Sequence, residues 1–315
     1  MNKHARKPSL SRIPDGFIPV AFLASSFLGR GGMALQLFIG LFTVRLCALS
    51  TASGLRSTFS MQPSLRFVQG SALMALGLQF LGALIALPVL KYSVALPNHT
   101  WLVLYGLLLN IEHVFYEYFH AIGDNDSVYL YRGISALLLM TGILLGAPPH
   151  KSPELSSYGR LCILTALLIP LIVGIAVISG LGEKPRPKFS IDLLKHTPAS
   201  MLRTLLYPAL VYLSAISLQP DISLSIPLFS GLVVIELCQA PFRRSPSECI
   251  VMNRILLILS IAAASLLPIS FSGLVPFKDP SIAKALIFSL GAFPLASLCA
   301  FGLYGNFSVR GRFQR

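Results

Sequence analysis

Apolar residues in this chain come in long, uninterrupted runs, with no period-2 alternation and no polar face on a 3.6-residue repeat. Phe67 to Leu90, Leu161 to Leu181, Ile255 to Phe277 and Ala285 to Val309 contain no charged residue. About 20 residues of helix cross the hydrocarbon core of a bilayer, so each run predicts a transmembrane helix. The runs are too long and too uniform for the strands of a β-barrel. Spans are expected near 67–90, 98–119, 129–147, 160–181, 200–219, 222–239, 252–274 and 282–305. The stretch from Phe17 to Leu49 before them reads either as one very long helix or as two shorter ones meeting at "GRGG", residues 29–32.

Composition agrees with this class. Hydrophobic residues make up 54% of the 315 and charged residues 12%, about half the charged fraction of a soluble domain. The net charge of +13 is spread over loops and tails, which points to anionic lipid headgroups and away from nucleic acid. Its distribution also bears on topology, because cytoplasmic loops carry the excess of lysine and arginine. With two N-terminal helices, the basic N-tail, the loop with Arg56 and Arg66, Arg132, the "EKPRPK" loop with Lys195 and Arg203, the "PFRRS" loop with Arg254 and the tail with Arg310, Arg312 and Arg315 all fall on one side. The other side holds Arg30, Lys91, Lys151, Arg160, Lys278 and Lys284. A single long first helix erases that bias. The expected architecture is therefore an all-α, polytopic transmembrane bundle of about ten spans with both termini cytoplasmic.

Organisation follows from the same runs. Residues 1–16 form a basic tail, 17–181 a first bundle of about six spans, 182–199 a basic cytoplasmic linker, 200–305 a second bundle of about four, and 306–315 a basic tail. The basic-then-apolar start lacks a small-residue cleavage site and reads as a retained helix, not a signal peptide. Cys47, Cys162, Cys238, Cys249 and Cys299 stand singly in or beside apolar runs. Without paired spacing they read as small apolar core residues, not as a zinc or redox site.

Candidate chemistry concentrates at "IEHVFYEYFH", where Glu112, His113, Glu117 and His120 follow the apolar "WLVLYGLLLN". At 100° per residue His113, Glu117 and His120 share one helix face, and Glu112 points away from them. Several readings stay open. Glu117 and His120 form a Glu-x-x-His pair, but the further acids that a di-iron bundle needs are missing, so no metal and no cofactor is expected. An intramembrane protease of the glutamate type would want paired acids and distant histidines that the chain lacks. The cluster otherwise lines the mouth of a cavity, where it could bind protons, or is a solvated helix end. Arg30 and Arg45 are the cationic residues embedded in apolar sequence. They either bind an anion, whose oxygens suit the guanidinium fork, or snorkel to an interface.

The segment "FYEYFHAIGDNDSVYLYRGISALLLMTGILLG" resembles the turn between the fourth and fifth spans of the multidrug/oligosaccharidyl-lipid/polysaccharide exporter superfamily, which includes multidrug extrusion transporters and lipid II flippases. Phe119, Ala121, Gly123, Asp124 and the run Val128 to Gly146 carry the resemblance. "SSFLGRGG" is similar to the flippases' first-helix pattern, and this implies that Arg30 lies near an anionic substrate. The second half offers four spans where the superfamily has six, so the resemblance implies a shortened exporter-type fold. It implies a non-enzymatic, alternating-access transporter or flippase of a bacterial cytoplasmic membrane. Arg30 and Arg45 would bind a lipid-linked or amphipathic substrate, and His113, Glu117 and His120 would couple protons. The other reading is a non-transporting scaffold or accessory subunit of an envelope assembly system, with membrane lipids as its surroundings. A membrane metalloenzyme is a third.

Overall fold

A computed structural model describes residues 13–49, 65–93, 98–122, 125–147 and 156–180, with positions 51, 55, 225, 226, 229, 232 and 233. All regular structure among the described residues is helical. Helix α1 spans Phe17–Ser25, α2 Gly31–Cys47, α3 Leu65–Pro88, α4 His99–Ile122, α5 Asn125–Gly146 and α6 Ser157–Gly180. The proposed linker 182–199, both tails and most of the later spans lie outside the described residues.

The N-terminal stretch is two helices. Between α1 and α2 a wide turn over Ser26–Arg30 carries non-helical backbone at Leu28 and at Gly29, where φ is 78°. That left-handed conformation suits glycine, which has no Cβ to clash. The rings of Phe22 and Phe38 lie 6.3 Å apart, although a straight helix would separate these residues by about 24 Å along its axis. The chain therefore doubles back at "GRGG". Phe229 stacks on Phe22 at 5.3 Å and meets Phe38 edge-on at 5.8 Å. Ser225, Phe229 and Leu232 are all buried at the i, i+4, i+7 spacing of one helix face.

Helix direction alternates through the bundle. Gly40 of α2 lies against Leu102 and Gly106 of α4, and Arg45 reaches Asn110, so α2 and α4 run parallel. Tyr105 donates to the carbonyl of Arg160 at 3.0 Å, and Gly174 lies against Phe115, so α4 and α6 run parallel as well. Helices α3 and α5 run the other way: Gln69 of α3 bonds Tyr118 of α4, and Gly142 and Gly146 of α5 face Ala166 and Gly159 of α6. Phe17, the first residue of α1, touches Tyr129 in the first turn of α5. The start of α1 and the α4–α5 turn therefore sit at the same end of the bundle.

Glycine sets the closest crossings. A Cβ at Gly106 would lie 2.4 Å from the carbonyl oxygen of Gly40, and one at Gly159 would lie 2.1 Å from that of Gly146. In a bilayer, where lipid tails are as apolar as leucine, such close approach provides the dispersion contacts that hold helices together.

Four stretches are long and apolar enough to cross a membrane: Phe17–Cys47, Val68–Tyr92, Val128–Gly146 and Ser157–Ala176. On α5, Leu130, Ile134, Leu137 and Leu145 are exposed, and on α3 Leu73, Phe80, Leu81, Leu84 and Ile85. Exposed apolar stripes at helical spacing suit a lipid surround. The expected span 98–119 behaves differently. Helix α4 is long enough to cross but is not among the four apolar stretches. It packs against α2, α3, α5 and α6, and from Leu102 to Phe119 only Leu104 and His113 are not fully buried. Protein, not lipid, surrounds this helix, so it tolerates polar side chains.

At the opposite end from the α4–α5 turn, Arg160 donates to the Asn98 side chain at 2.8 Å. Its guanidinium lies 5.6 Å from the Trp101 ring centre.

Candidate functional site

The polar side chains of α4 face inward at successive depths. Asn110 comes first and is fully buried. Its amide donates to the carbonyls of Leu41 at 3.0 Å and Gly106 at 2.9 Å, and its oxygen accepts from Arg45 Nε at 3.1 Å. This one side chain ties α2 to α4 just beyond their glycine crossing.

Glu112 is next. It is 3% exposed and forms an ion pair with Arg132 of α5, itself 5% exposed. The Arg132 guanidinium also lies 4.7 Å from the centre of the Tyr116 ring, one helical turn after Glu112, where a cation is attracted to the ring face. Ten residues of helix separate Glu112 from Ile122, about 15 Å at 1.5 Å per residue. The pair therefore sits near the middle of α4, well away from its end. Glu112 Oε1 has no hydrogen bond, so the arginine satisfies one carboxylate oxygen only.

His113, Glu117 and His120 occupy one face, as the periodicity predicts. His113 Nε2 is 3.8 Å from Glu117 Oε1. The rings of His113, Tyr116 and His120 follow one another with centres 5.8 and 6.4 Å apart. Glu117 is 3% exposed. With both acids buried, the solvated-helix-end reading does not hold for Glu112 and Glu117. Among the described residues no three His, Cys, Asp or Glu side chains form a group able to hold a metal ion.

The two arginines singled out from the sequence are not brought together. Arg30 sits at the α1–α2 turn, partly buried, with its Nε without a hydrogen bond. Arg45 lies at the other end of α2, about 22 Å along the axis, bonded to Asn110.

Sequence reasoning missed Arg132 and Asn110. Arg132 falls inside the expected span 129–147, but the charge count places it only among the cytoplasmic-side basic residues, and its inward position appears only with α5 packed on α4. A cue was present: a buried acid requires a cation, and Arg132 is the first arginine or lysine after Glu112. Compared with family models, curated proteins and solved structures, the chain matches none.

Proposed function

We propose that this chain is a multi-pass membrane transporter or flippase-like protein that moves a lipid-linked or amphipathic substrate by alternating access, with both termini cytoplasmic in a bacterial cell membrane. The observation that carries the reading is the central helix. Ionisable residues at membrane depth cost about 2.5–3.5 kcal/mol each at the helix centre, and they mark ion and substrate pathways. Helix α4 holds Glu112 and Glu117 buried among other helices, Glu112 near its middle, and on this reading Glu112 lies within the membrane. In this reading His113, Glu117 and His120 exchange protons. Arg30, at a break in helical structure, offers guanidinium N–H groups to an anionic headgroup, because broken helices inside a bundle are where transporters place their binding groups. Arg45 joins only if it exchanges Asn110 for the substrate.

A second reading has one observation in its favour. Backbone-to-backbone contact at Gly40–Gly106 and Gly146–Gly159 makes a rigid frame, which suits a non-transporting scaffold. Vesicles that contain the purified protein and a trace of fluorescent short-chain phosphatidylglycerol separate the two. Transport predicts protein-dependent movement of the probe between leaflets, slowed by Glu117→Gln and by Arg30→Gln. No movement above protein-free vesicles leaves the scaffold.

A further inference from the structure

The end of the bundle that holds the α3–α4 turn gathers cations and aromatic rings. Arg160, in the first turn of α6, is half-buried. Its guanidinium donates to the Asn98 side chain at 2.8 Å and lies 5.6 Å from the Trp101 ring centre. Its backbone carbonyl accepts from the Tyr105 hydroxyl at 3.0 Å. The residue is thus anchored at both backbone and head. A guanidinium carries five N–H donors. Asn98 takes one, Nε has no hydrogen bond, and the others find no acceptor among the described residues. Lys91, just past the end of α3, is exposed, with its ammonium 5.0 Å from the Tyr92 ring centre.

No described carboxylate balances these two cations. Among the described residues the acids are Asp15, Glu112, Glu117 and Asp126. Glu112 pairs with Arg132, and Glu117 lies beyond it toward the α4–α5 turn. Asp15, before α1, and Asp126, in the first turn of α5, belong to the opposite end. The rings fix the depth. Trp101 is half-buried, and Tyr92 and Tyr158 are 74% and 66% exposed, each beside a helix end. Tryptophan and tyrosine at such places lie at the headgroup level of a bilayer. The oxyanion present at that level is the phosphate diester of a phospholipid, whose oxygens suit the guanidinium fork.

We propose that Arg160, Lys91 and Trp101 form a binding site for an anionic phospholipid. Arg160 holds the phosphate, Lys91 adds charge, and the Trp101 ring meets the glycerol and upper acyl chains. Asn98 and Trp101 already order the arginine, so binding costs little side-chain entropy. The site requires a membrane around the protein but not the transport reading. Trp101 is the chain's single tryptophan, so its emission reports on this site alone. The purified full-length protein in detergent is titrated with phosphatidylglycerol or phosphatidylcholine bearing the same brominated acyl chains, which quench a nearby indole. Half-quenching is expected at about tenfold less phosphatidylglycerol than phosphatidylcholine, and Arg160→Gln should cut that preference about fivefold, the effect of one interfacial cation. Arg160→Gln also loses the Asn98 bond, so Lys91→Gln, at an exposed position, is the second test and should cut the preference severalfold. Lys3→Gln, which removes the same charge from the basic N-tail, should leave it unchanged. Inorganic phosphate, compared with chloride at equal ionic strength, should not displace the lipid. Equal quenching by the two lipids overturns the proposal, as does a preference that survives both Arg160→Gln and Lys91→Gln. A loss as large with Lys3→Gln would show diffuse charge attraction, and displacement by inorganic phosphate would show a site for the free anion. Either result overturns the lipid site.

Discussion

Glu112 and Arg132 each make the other tolerable at their depth. Burying two charges costs several kcal/mol per ion, which close pairing offsets only when the geometry is good. Removing one partner leaves an uncompensated charge. Glu112→Gln or Arg132→Met is expected to cost about 3–5 kcal/mol, and the double variant clearly less than the sum of the two. Unfolding of the purified protein in detergent measures all three. Additive losses would show that the two residues are not coupled. Asn110 belongs to the same scale: its one amide satisfies a carbonyl on each of two helices and holds Arg45 as well.

Helix contacts in this protein depend on which glycines face a neighbour. Gly106 meets the Gly40 backbone, while nothing lies within 4 Å of the place a Cβ would take at Gly77. The same substitution should therefore act oppositely at the two positions. Gly77→Ala gains helix propensity, up to about 1 kcal/mol. Gly106→Ala must push α2 and α4 apart, at about 1–3 kcal/mol for overpacking. Thermal midpoints of the two variants against the parent give the comparison, and a Gly106→Ala as stable as Gly77→Ala would refute the crossing. Helix α4 shows the other consequence of packing: enclosed by α2, α3, α5 and α6, it is freed from the need to be apolar.

For the whole molecule, alternation of helix direction fixes which turns share a membrane face. The start of α1 and the α4–α5 turn lie at one end, and the α3–α4 turn lies at the other with Arg160. Cysteines introduced at Ser11 and Gly123 should be labelled from the same side of intact cells, and one at Pro97 from the opposite side. On the proposed topology the first pair is cytoplasmic. Labelling of Ser11→Cys and Gly123→Cys from opposite faces would break the topology, and the transport reading that uses it.

The sequence alone determined the helical class, the positions of α3, α5 and α6, and the shared face of His113, Glu117 and His120, because apolar run length and the 100° rotation per residue are local properties. Lysine and arginine asymmetry favoured two helices over one between Phe17 and Leu49, and the reversal at Gly29 agrees. Only the tertiary structure decided that α4 is the enclosed helix, that Arg132 answers Glu112, and that Arg30 and Arg45 stand at opposite ends of α2. Those facts depend on which helix faces which. Hydropathy cannot report that, because an interior of protein and an interior of lipid are equally dry.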